Sequence, residues 1–337
     1  MPIRVIINER SGLMESIFGK TQAPLASYLE SRNEQIEAEE KIGLSIFRKV
    51  SSRHFAEAYG TETEMGDMEP VGEGGAYPVT SFQEGYRKTI NNVTFKNSFA
   101  ITREAMDDNI LTSLGQKPDK LLRSYHRGRN RMFAAMIGNA SKGSTSFDVK
   151  GWTFDTTCMD GGCVFSTSHA PKVSGSNQTN LYADAFSADA LFAAINKMRN
   201  LKDDDGNTLA IVPDTIIIPT ANAALVKAVL VAVGSMQVPG SGNNDINPMF
   251  GQMKVIQWPT LNDYVDLSGA ATPWFLFDSK YNEEVDGCIY QDRVPLEVRS
   301  ELDPNDNNVW KAYARYGMGF VDFRQIMALG VTGGSSL

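Results

Sequence analysis

The sequence predicts a mixed α+β fold, and three observations carry that expectation. Near residues 118–137, apolar and basic residues recur at the three- and four-residue spacing of a long helix. Two separated regions, Thr89 to Thr102 and Leu296 to Tyr316, are rich in the β-branched and aromatic residues of strands. From Ser187 to Phe277, helix-like and strand-like segments alternate. With 337 residues, 42% of them hydrophobic and 9% aromatic, the chain has ample material for a substantial core.

The first element is a short apolar run, Ile3 to Ile7, followed by a charged stretch from Tyr28 to Ile42; together they read as an arm over residues 1–50 that ends in a helix. The apolar positions of that helix, Tyr28, Leu29, Ile36 and Ile42, are too thin for a core. Docking on something larger, such as a neighbouring subunit, is expected. From Tyr59 to Tyr86, glycines interleave with Glu62, Glu64, Asp67, Glu69, Glu73 and Glu84. Such a segment cannot build its own core and is long for a loop. Its flanks, Phe82 to Tyr86 and Thr89 to Thr102, have strand composition, so a projecting hairpin is expected. Two arms of ~14 residues at ~3.3 Å each would reach ~45 Å, against a radius of gyration of ~20 Å for a compact chain of this length. A hairpin of that reach extends beyond its own subunit.

Arg103 to Asn109 reads as a helical turn, and Pro118 and Asp119 open the long helix. Leu121, Leu122, Tyr125, Met132, Phe133, Met136 and Ile137 lie along one side, Lys120, Arg123, Arg127 and Arg131 along another, and Gly138 with Asn139 is the expected stop. Residues 141–180 are rich in Gly, Ser, Thr and Asn, with turn signals at Asp160-Gly161-Gly162 and Ala170-Pro171, which indicates loops and short hairpins. Next come a helix from Ser187 to Asn200 capped by Ser187 or Asp189, a buried strand from Thr215 to Pro219, and a helix from Ala221 to Val233. A loop from Pro239 to Asn244 leads to strands at Lys254 to Trp258 and Trp274 to Phe277. Leu296 to Ser300 and Val309 to Tyr316 flank the turn-forming run Asp303 to Asn308, which makes a second hairpin with a polar tip.

Composition excludes several classes. No stretch approaches the ~18 to 20 apolar residues needed to span a bilayer, and Arg4, Glu9 and Arg10 stand where a secretory apolar region would lie. The three cysteines, Cys158, Cys163 and Cys288, are too sparse for a disulfide framework and point to a reducing cytoplasm. A formal net charge of -8, from 40 acidic and 32 basic residues, disfavours a sequence-specific nucleic-acid binder unless the basic residues gather on one face.

Chemistry-bearing constellations are weak. Cys158, Cys163 and His169 give three ligands without the paired spacing of structural zinc sites, so small buried cysteines are the expectation, with no metal and no cofactor. Asp203-Asp204-Asp205-Gly206-Asn207 lacks the order of a calcium-binding loop and reads as a tight turn. The glycine-rich stretches match neither phosphate-binding pattern, and none of His54, His126 and His169 accompanies a nucleophile elbow; no catalytic residue is expected. The basic face Lys120, Arg123, Arg127 and Arg131 admits a solvated surface, a phosphate-contacting stripe, or a docking strip for the acidic hairpin of another subunit. Each exposed pair would contribute only ~0.2 to 1 kcal/mol, so such pairing matters as a sum over a lattice.

Several ordered stretches carry a resemblance: VSS and EAYG between Phe47 and Gly60, NVTFKNSFAITREAMDD from Asn92 to Asp108, then FSTSH, KDDDGN, VPDTIIIP, NP with FGQMKVIQWPTL, PWFLFD, and finally WKAYARYGMGFVDFRQI from Trp310 to Ile326. The sequence resembles tailed-bacteriophage major capsid proteins of the Hong Kong 97 fold, in particular the Mu-type major head subunit group. The resemblance covers most of the chain; each motif is loose, and the ordered run makes it specific. It implies an N-terminal arm over 1–50, an extended arm loop over 59–88, a peripheral domain from 89–184 and 293–330 with its spine helix at about 118–137, and an axial domain over 185–292. The tip residues Asp303, Asn305, Asn307 and Asn308 would sit near local threefold contacts. It implies a non-enzymatic subunit of an icosahedral shell around double-stranded DNA, located in the virion capsid and assembled in the host bacterial cytoplasm. Its partners would be itself in pentamers and hexamers, a separate scaffold protein, a portal, decoration proteins in some shells, and non-specific contact with packaged DNA; no membrane is implied.

One departure stands out. Relatives that weld their shells by isopeptide bonds use an arm-loop lysine, and no lysine lies between Lys49 and Lys88. Covalent cross-linking of that kind is not expected. Two other readings compete: an encapsulin-like compartment shell, which would need a pocket for a cargo peptide, and a hydrolase with an unrecognised site, which the long acidic hairpin disfavours.

Overall fold

The computed structural model describes residues 4–7, 31–37, 41–62, 68–79, 84–104, 116–173, 175–236, 247–269 and 271–337. In chain order the strands are β1 (Arg4–Ile7), β2 (Arg48–Ser51), β3 (Ala56–Glu62), β4 (Glu84–Asn91), β5 (Val93–Ile101), β6 (Ser146–Val149), β7 (Trp152–Asp155), β8 (Thr215–Ile218), β9 (Lys254–Gln257), β10 (Trp274–Phe277), β11 (Cys288–Leu302), β12 (Asn308–Phe320) and β13 (Ile326–Leu329). The helices are α1 (Gln116–Ser141), α2 (Ala188–Arg199), α3 (Ala223–Gly234) and α4 (Ser279–Val285), with a further helical segment at 31–37. The mixed α+β architecture expected from the sequence is present. The chain separates into two compact units, one of residues 1–57, 90–133 and 290–318, the other of 58–89, 134–289 and 319–337.

The first unit is built on a sheet of order β1-β11-β12-β5, with β2 also paired to β11. β5 and β12 are antiparallel over nine residue pairs, from Val93 opposite Tyr316 to Ile101 opposite Asn308. β1 joins the edge in parallel, Arg4 opposite Glu297, so the apolar run at the N-terminus is a strand, as its composition indicated. An aromatic cluster ties the first part of α1 to this sheet: Tyr125 meets Tyr316 edge-on at 6.2 Å, Phe133 meets Tyr290 at 5.4 Å, and Phe95 stacks on Tyr316 at 4.1 Å.

The helical segment at 31–37 does dock on something larger, and that partner is α1 of the same chain. Ile36 is fully buried, Arg32 Nε lies 3.2 Å from Asp119 Oδ2, and Asn33 Oδ1 lies 2.8 Å from His126 Nε2. Polar contacts on every turn supply the complementarity that its thin apolar pattern concealed. Of the apolar positions counted in the sequence, Tyr28 and Leu29 lie outside the described residues.

The second unit centres on a sheet of order β13-β10-β8-β9, in which β8 runs antiparallel to β10 and parallel to β9. β8, β10 and β13 are buried at every position, which explains their unbroken apolar runs. Leu191, Ile195 and Met198 of α2 and Leu225, Val229 and Val233 of α3 pack with Ile216, Ile218, Trp274 and Leu276. Ser187 caps α2 by accepting from Ala190 N at 3.0 Å, and Asn222 caps α3. β13 and α4 were not anticipated; the former spans only four residues, Ile326–Leu329, directly after the mixed stretch Asp322 to Gln325. The loop expected at 239–244 lies outside the described residues, as do residues 105–109 of the turn expected after Arg103, of which 103–104 are helical.

Two sequence expectations need correction. α1 does not stop at Gly138 but continues to Ser141, because this glycine serves a close approach: a Cβ there would lie 2.4 Å from Tyr264 Cβ and 2.8 Å from its carbonyl carbon. The stop is Gly143, whose φ of 76° is open to glycine at no steric cost and whose N–H reaches Ala140 O at 2.9 Å. The projecting hairpin exists as the β3–β4 pair, but its strands have 7 and 8 residues, not about 14. At ~3.4 Å per residue the paired part reaches ~25 Å. Met68 to Val79 carries a turn closed by Gly75 N to Gly72 O and no strand, since its prolines and clustered glycines cannot sustain a ladder.

Candidate functional site

α1 turns sequence spacing into two surfaces. Positions 120, 123, 127 and 131 fall on one stripe of a 3.6-residue helix, and Lys120, Arg123, Arg127 and Arg131 are all exposed. Among the described residues, none of the four has an ion-pair partner. Eleven residues at ~1.5 Å rise place four positive charges along ~16 Å. On the opposite side Leu121, Leu122, Met132 and Phe133 are buried, and so are two polar residues for which the sequence predicted no buried place, His126 and Arg129.

Arg129 is a further cation of this helix, turned inward, with Glu37 at 3.4 Å and the rings of Tyr125 and Tyr290 at 5.3 and 5.8 Å from its guanidinium carbon. Its Nη2 donates to His126 Nδ1 at 3.2 Å, while His126 Nε2 donates to Asn33 Oδ1. Burial, with the charge of Arg129 beside it, lowers the pKa of His126 to about 3. A register count could have found both residues: 122, 126 and 129 share the apolar stripe.

The acidic hairpin is only partly described. Glu62 ends β3, Glu64 and Asp67 lie outside the described residues, and Glu69 and Glu73 are exposed on the 68–79 segment. That segment also carries three apolar side chains almost wholly in solvent, Met68 at 101%, Tyr77 at 94% and Val79 at 95% relative exposure. The sequence reading, fixed on the carboxylates, passed over them.

The turn between β11 and β12 is organised by Asp303. Its N–H donates to Asn307 O at 2.9 Å, its carbonyl accepts from Asp306 N at 3.0 Å, and its carboxylate accepts from Asn305 N. Arg103 Nη1 reaches Asp306 Oδ2 at 3.0 Å. Pro304, Asn305 and Asp306 are exposed and form the tip, with Asp303 and Asn307 half-buried at its base. Asn308, counted with the tip in the sequence, is instead fully buried as the first residue of β12, because its register opposite Ile101 turns it inward.

The cysteine constellation resolves differently from its sequence order. All three cysteines are free and buried. Cys163 points away, its thiol 3.2 Å from Ala140 O, whereas Cys158 and His169 are joined by Asp160, which the sequence reading had placed only in a turn. Asp203 accepts from Asp205 N and Asn207 N, the tight turn expected. Among the described residues, no helix is long and apolar enough to cross a membrane.

The fold and these surfaces can be set against known proteins. A family model described as phage capsid protein matches residues 86–328. The chain belongs to the phage capsid protein family. This capsid protein is a structural subunit of a capsid shell and not an enzyme, as the sequence motifs implied, and the family favours the shell over the compartment and hydrolase alternatives. No curated protein matches it. Among solved structures it is similar to the capsid of the cyanophage P-SCSP1u, with a TM-score of 0.51 and 13% identity over 84% of this chain and 85% of that one. It is also similar to the capsid of Ralstonia phage GP4, with a TM-score of 0.51 and 10% identity over 84% and 86% of the two chains. For the capsid of an empty GTA particle the TM-score is 0.51 and the identity 14%, over 88% and 90%. At such identities the likeness is one of fold, and it spans both compact units of the capsid protein.

Proposed function

We propose that this subunit builds the icosahedral head of a tailed phage around double-stranded DNA, with the Hong Kong 97 fold in its Mu-type form. The arm would be residues 1–50, the extended loop 59–88, the peripheral domain 89–184 and 293–330, and the axial domain 185–292. The subunit assembles in the host cytoplasm into pentamers and hexamers, with a separate scaffold and a portal. The observation that carries the reading is the 68–79 segment: Met68, Tyr77 and Val79 stand in solvent beside Glu69 and Glu73. A monomer gains nothing from such exposure, whereas a neighbour can bury it. The complementary surface we assign to it is the exposed stripe Lys120, Arg123, Arg127 and Arg131 of an adjacent subunit, so that apolar anchors supply affinity and charge sets register. The tip at Asp303, Asn305 and Asn307, with Asn308 behind it, would meet its counterparts around threefold positions.

The test is negative-stain microscopy of the full chain, expressed with and without neighbouring phage genes, beside the double variant Arg123→Glu/Arg127→Glu. Wild type is expected to give shells, tubes or rings, and the variant folded subunits that fail to close. A wild-type protein that stays a monomer or small symmetric oligomer under both conditions would overturn the shell assembly. Normal variant shells that package DNA poorly would move the basic stripe from the arm to the genome.

A further inference from the structure

Independently of how the shell assembles, one side-chain cluster in the second unit is built as a ligand site. The turn at 158–162 is closed by Cys158 N to Gly162 O and Gly161 N to Cys158 O, which turns Asp160 back over Cys158. Asp160 Oδ1 lies 2.8 Å from Cys158 Sγ and accepts from Gly162 N, while Oδ2 lies 2.6 Å from His169 Nδ1. Cys158 Sγ and His169 Nδ1 are 3.9 Å apart, and donor atoms of all three residues lie within 4.8 Å of one another.

The histidine is held from behind. Its Nε2 faces Asn180 Oδ1 at 3.1 Å. That amide cannot be turned, since Asn180 Nδ2 donates to Val164 O, Phe323 O and Ile326 O while Oδ1 accepts from Ser166 N. Nε2 therefore carries a hydrogen. The ring also lies flat on Phe323, 3.7 Å between centroids and 3° between planes. Nδ1 is thereby aimed at a carboxylate and a sulfur, and two acceptors face each other unless a cation lies between them. A proton satisfies Nδ1 and Asp160 alone; a metal ion engages all three groups at once. A ligating histidine whose second nitrogen is anchored to an oxygen is the usual outer-shell arrangement of protein metal sites.

We propose that Cys158, Asp160 and His169 bind a zinc-class divalent cation, with the fourth position open to water on the solvent side of Asp160. The thiolate selects zinc or cobalt over magnesium and calcium. Bonds of ~2.0 to 2.3 Å in a tetrahedron put donors ~3.3 to 3.6 Å apart, against 3.9 Å between Cys158 Sγ and His169 Nδ1 and no more than 4.8 Å between any two donors of the set. Asp160 keeps 10% side-chain exposure, which gives the ion a way in. Binding releases the thiol proton of Cys158 to solvent, so occupancy should fall as pH falls. The ion would staple the turn at 158–162 to the strand-like segment around His169.

The experiment uses assembled or soluble full-length protein from zinc-replete cells, with metal counted per chain by mass spectrometry, followed by replacement with cobalt. Near one zinc per chain and a thiolate-to-cobalt charge-transfer band are expected. Cys158→Ser should abolish the band and the zinc, and Cys163→Ser, whose thiol lies elsewhere, should keep both. No zinc and no band in wild type would reduce the cluster to an imidazolium–carboxylate hydrogen bond. Zinc retained by Cys158→Ser would place the metal elsewhere; either result overturns the proposal. Should the Cys158 variant fail to fold, a band kept by both Cys163→Ser and Cys288→Ser decides, since only thiolate ligation produces it and each of the other free thiols has then been removed in turn; its loss in either overturns the proposal.

Discussion

His126 should make the first unit acid-labile, and the size of the effect follows from its two neighbours. Arg129 Nη2 donates to Nδ1 at 3.2 Å and Asn33 accepts from Nε2 at 2.8 Å, so the folded site has a place for neutral imidazole and none for a second proton. The folded pKa is about 3 against an ordinary 6.5. As pH falls the unfolded chain binds the proton first, so the stability contributed by the neutral site is complete above ~6.5 and is lost progressively from there towards 3. At ~1.36 kcal/mol per pH unit, lowering the pH from 7 to 5 removes about 2 kcal/mol through this residue. The assay is urea denaturation of the unassembled chain across that range, for wild type and His126→Gln. Glutamine can still accept from Arg129 and donate to Asn33 but does not titrate. The variant should lack about 2 kcal/mol of the acid-dependent loss, and an unchanged pH slope would refute the reasoning.

Four further outcomes are expected. Gly138→Ala should destabilise by ~1 to 3 kcal/mol in denaturant titration despite alanine's better helix propensity, because its Cβ would run into the Tyr264 backbone. Gly128→Ala on the same helix, where a new Cβ meets nothing within 4 Å, should instead stabilise by up to ~1 kcal/mol. Arg324→Met should lose ~3 to 5 kcal/mol in the same titration, since it strands the buried Asp322, 3.2 Å from the guanidinium, without its cation. On a denaturing gel, boiled mature shells should run as single chains, because no lysine lies between Lys49 and Lys88; a ladder of cross-linked species would contradict this.

Periodicity made the long elements legible. α1, α2, α3, β8, β9 and β10 lie where apolar spacing put them, because each buries a face set by local sequence. What the sequence concealed depends on distance along the chain. His126 and Asn33 are 93 residues apart, and Asn180 reaches Ile326 across 146, so neither partnership leaves a local pattern. Gly138 was misread as a stop because a glycine needed for close approach and one needed for positive φ look alike in one dimension; only Tyr264 distinguishes them. Asp160 was hidden for a similar reason: its turn, Asp160-Gly161-Gly162, satisfied a complete local explanation, and the second use of its carboxylate appears only when His169 is folded against it.

The proposed arm illustrates a different limit. Met68, Tyr77 and Val79 are apolar, yet they stand in water, and Glu69 and Glu73 beside them are exposed and have no ion-pair partner among the described residues. In a self-contained protein such residues would weaken solubility without return. α1 presents the converse arrangement, for it draws Arg129 into a cage of Tyr125, Tyr290 and Glu37 while leaving Arg123 and Arg127 exposed three and four residues from their neighbours on the stripe. One helix thus sorts its cations into an inward one that the fold completes and outward ones that it does not. If those are completed by the arm of an adjacent subunit, the contact is heterologous, joining different surfaces of two copies, and such contacts close into rings only when the rotation between copies allows it. Weak pairs of ~0.2 to 1 kcal/mol suit that requirement, because they let misaligned copies separate before the lattice locks.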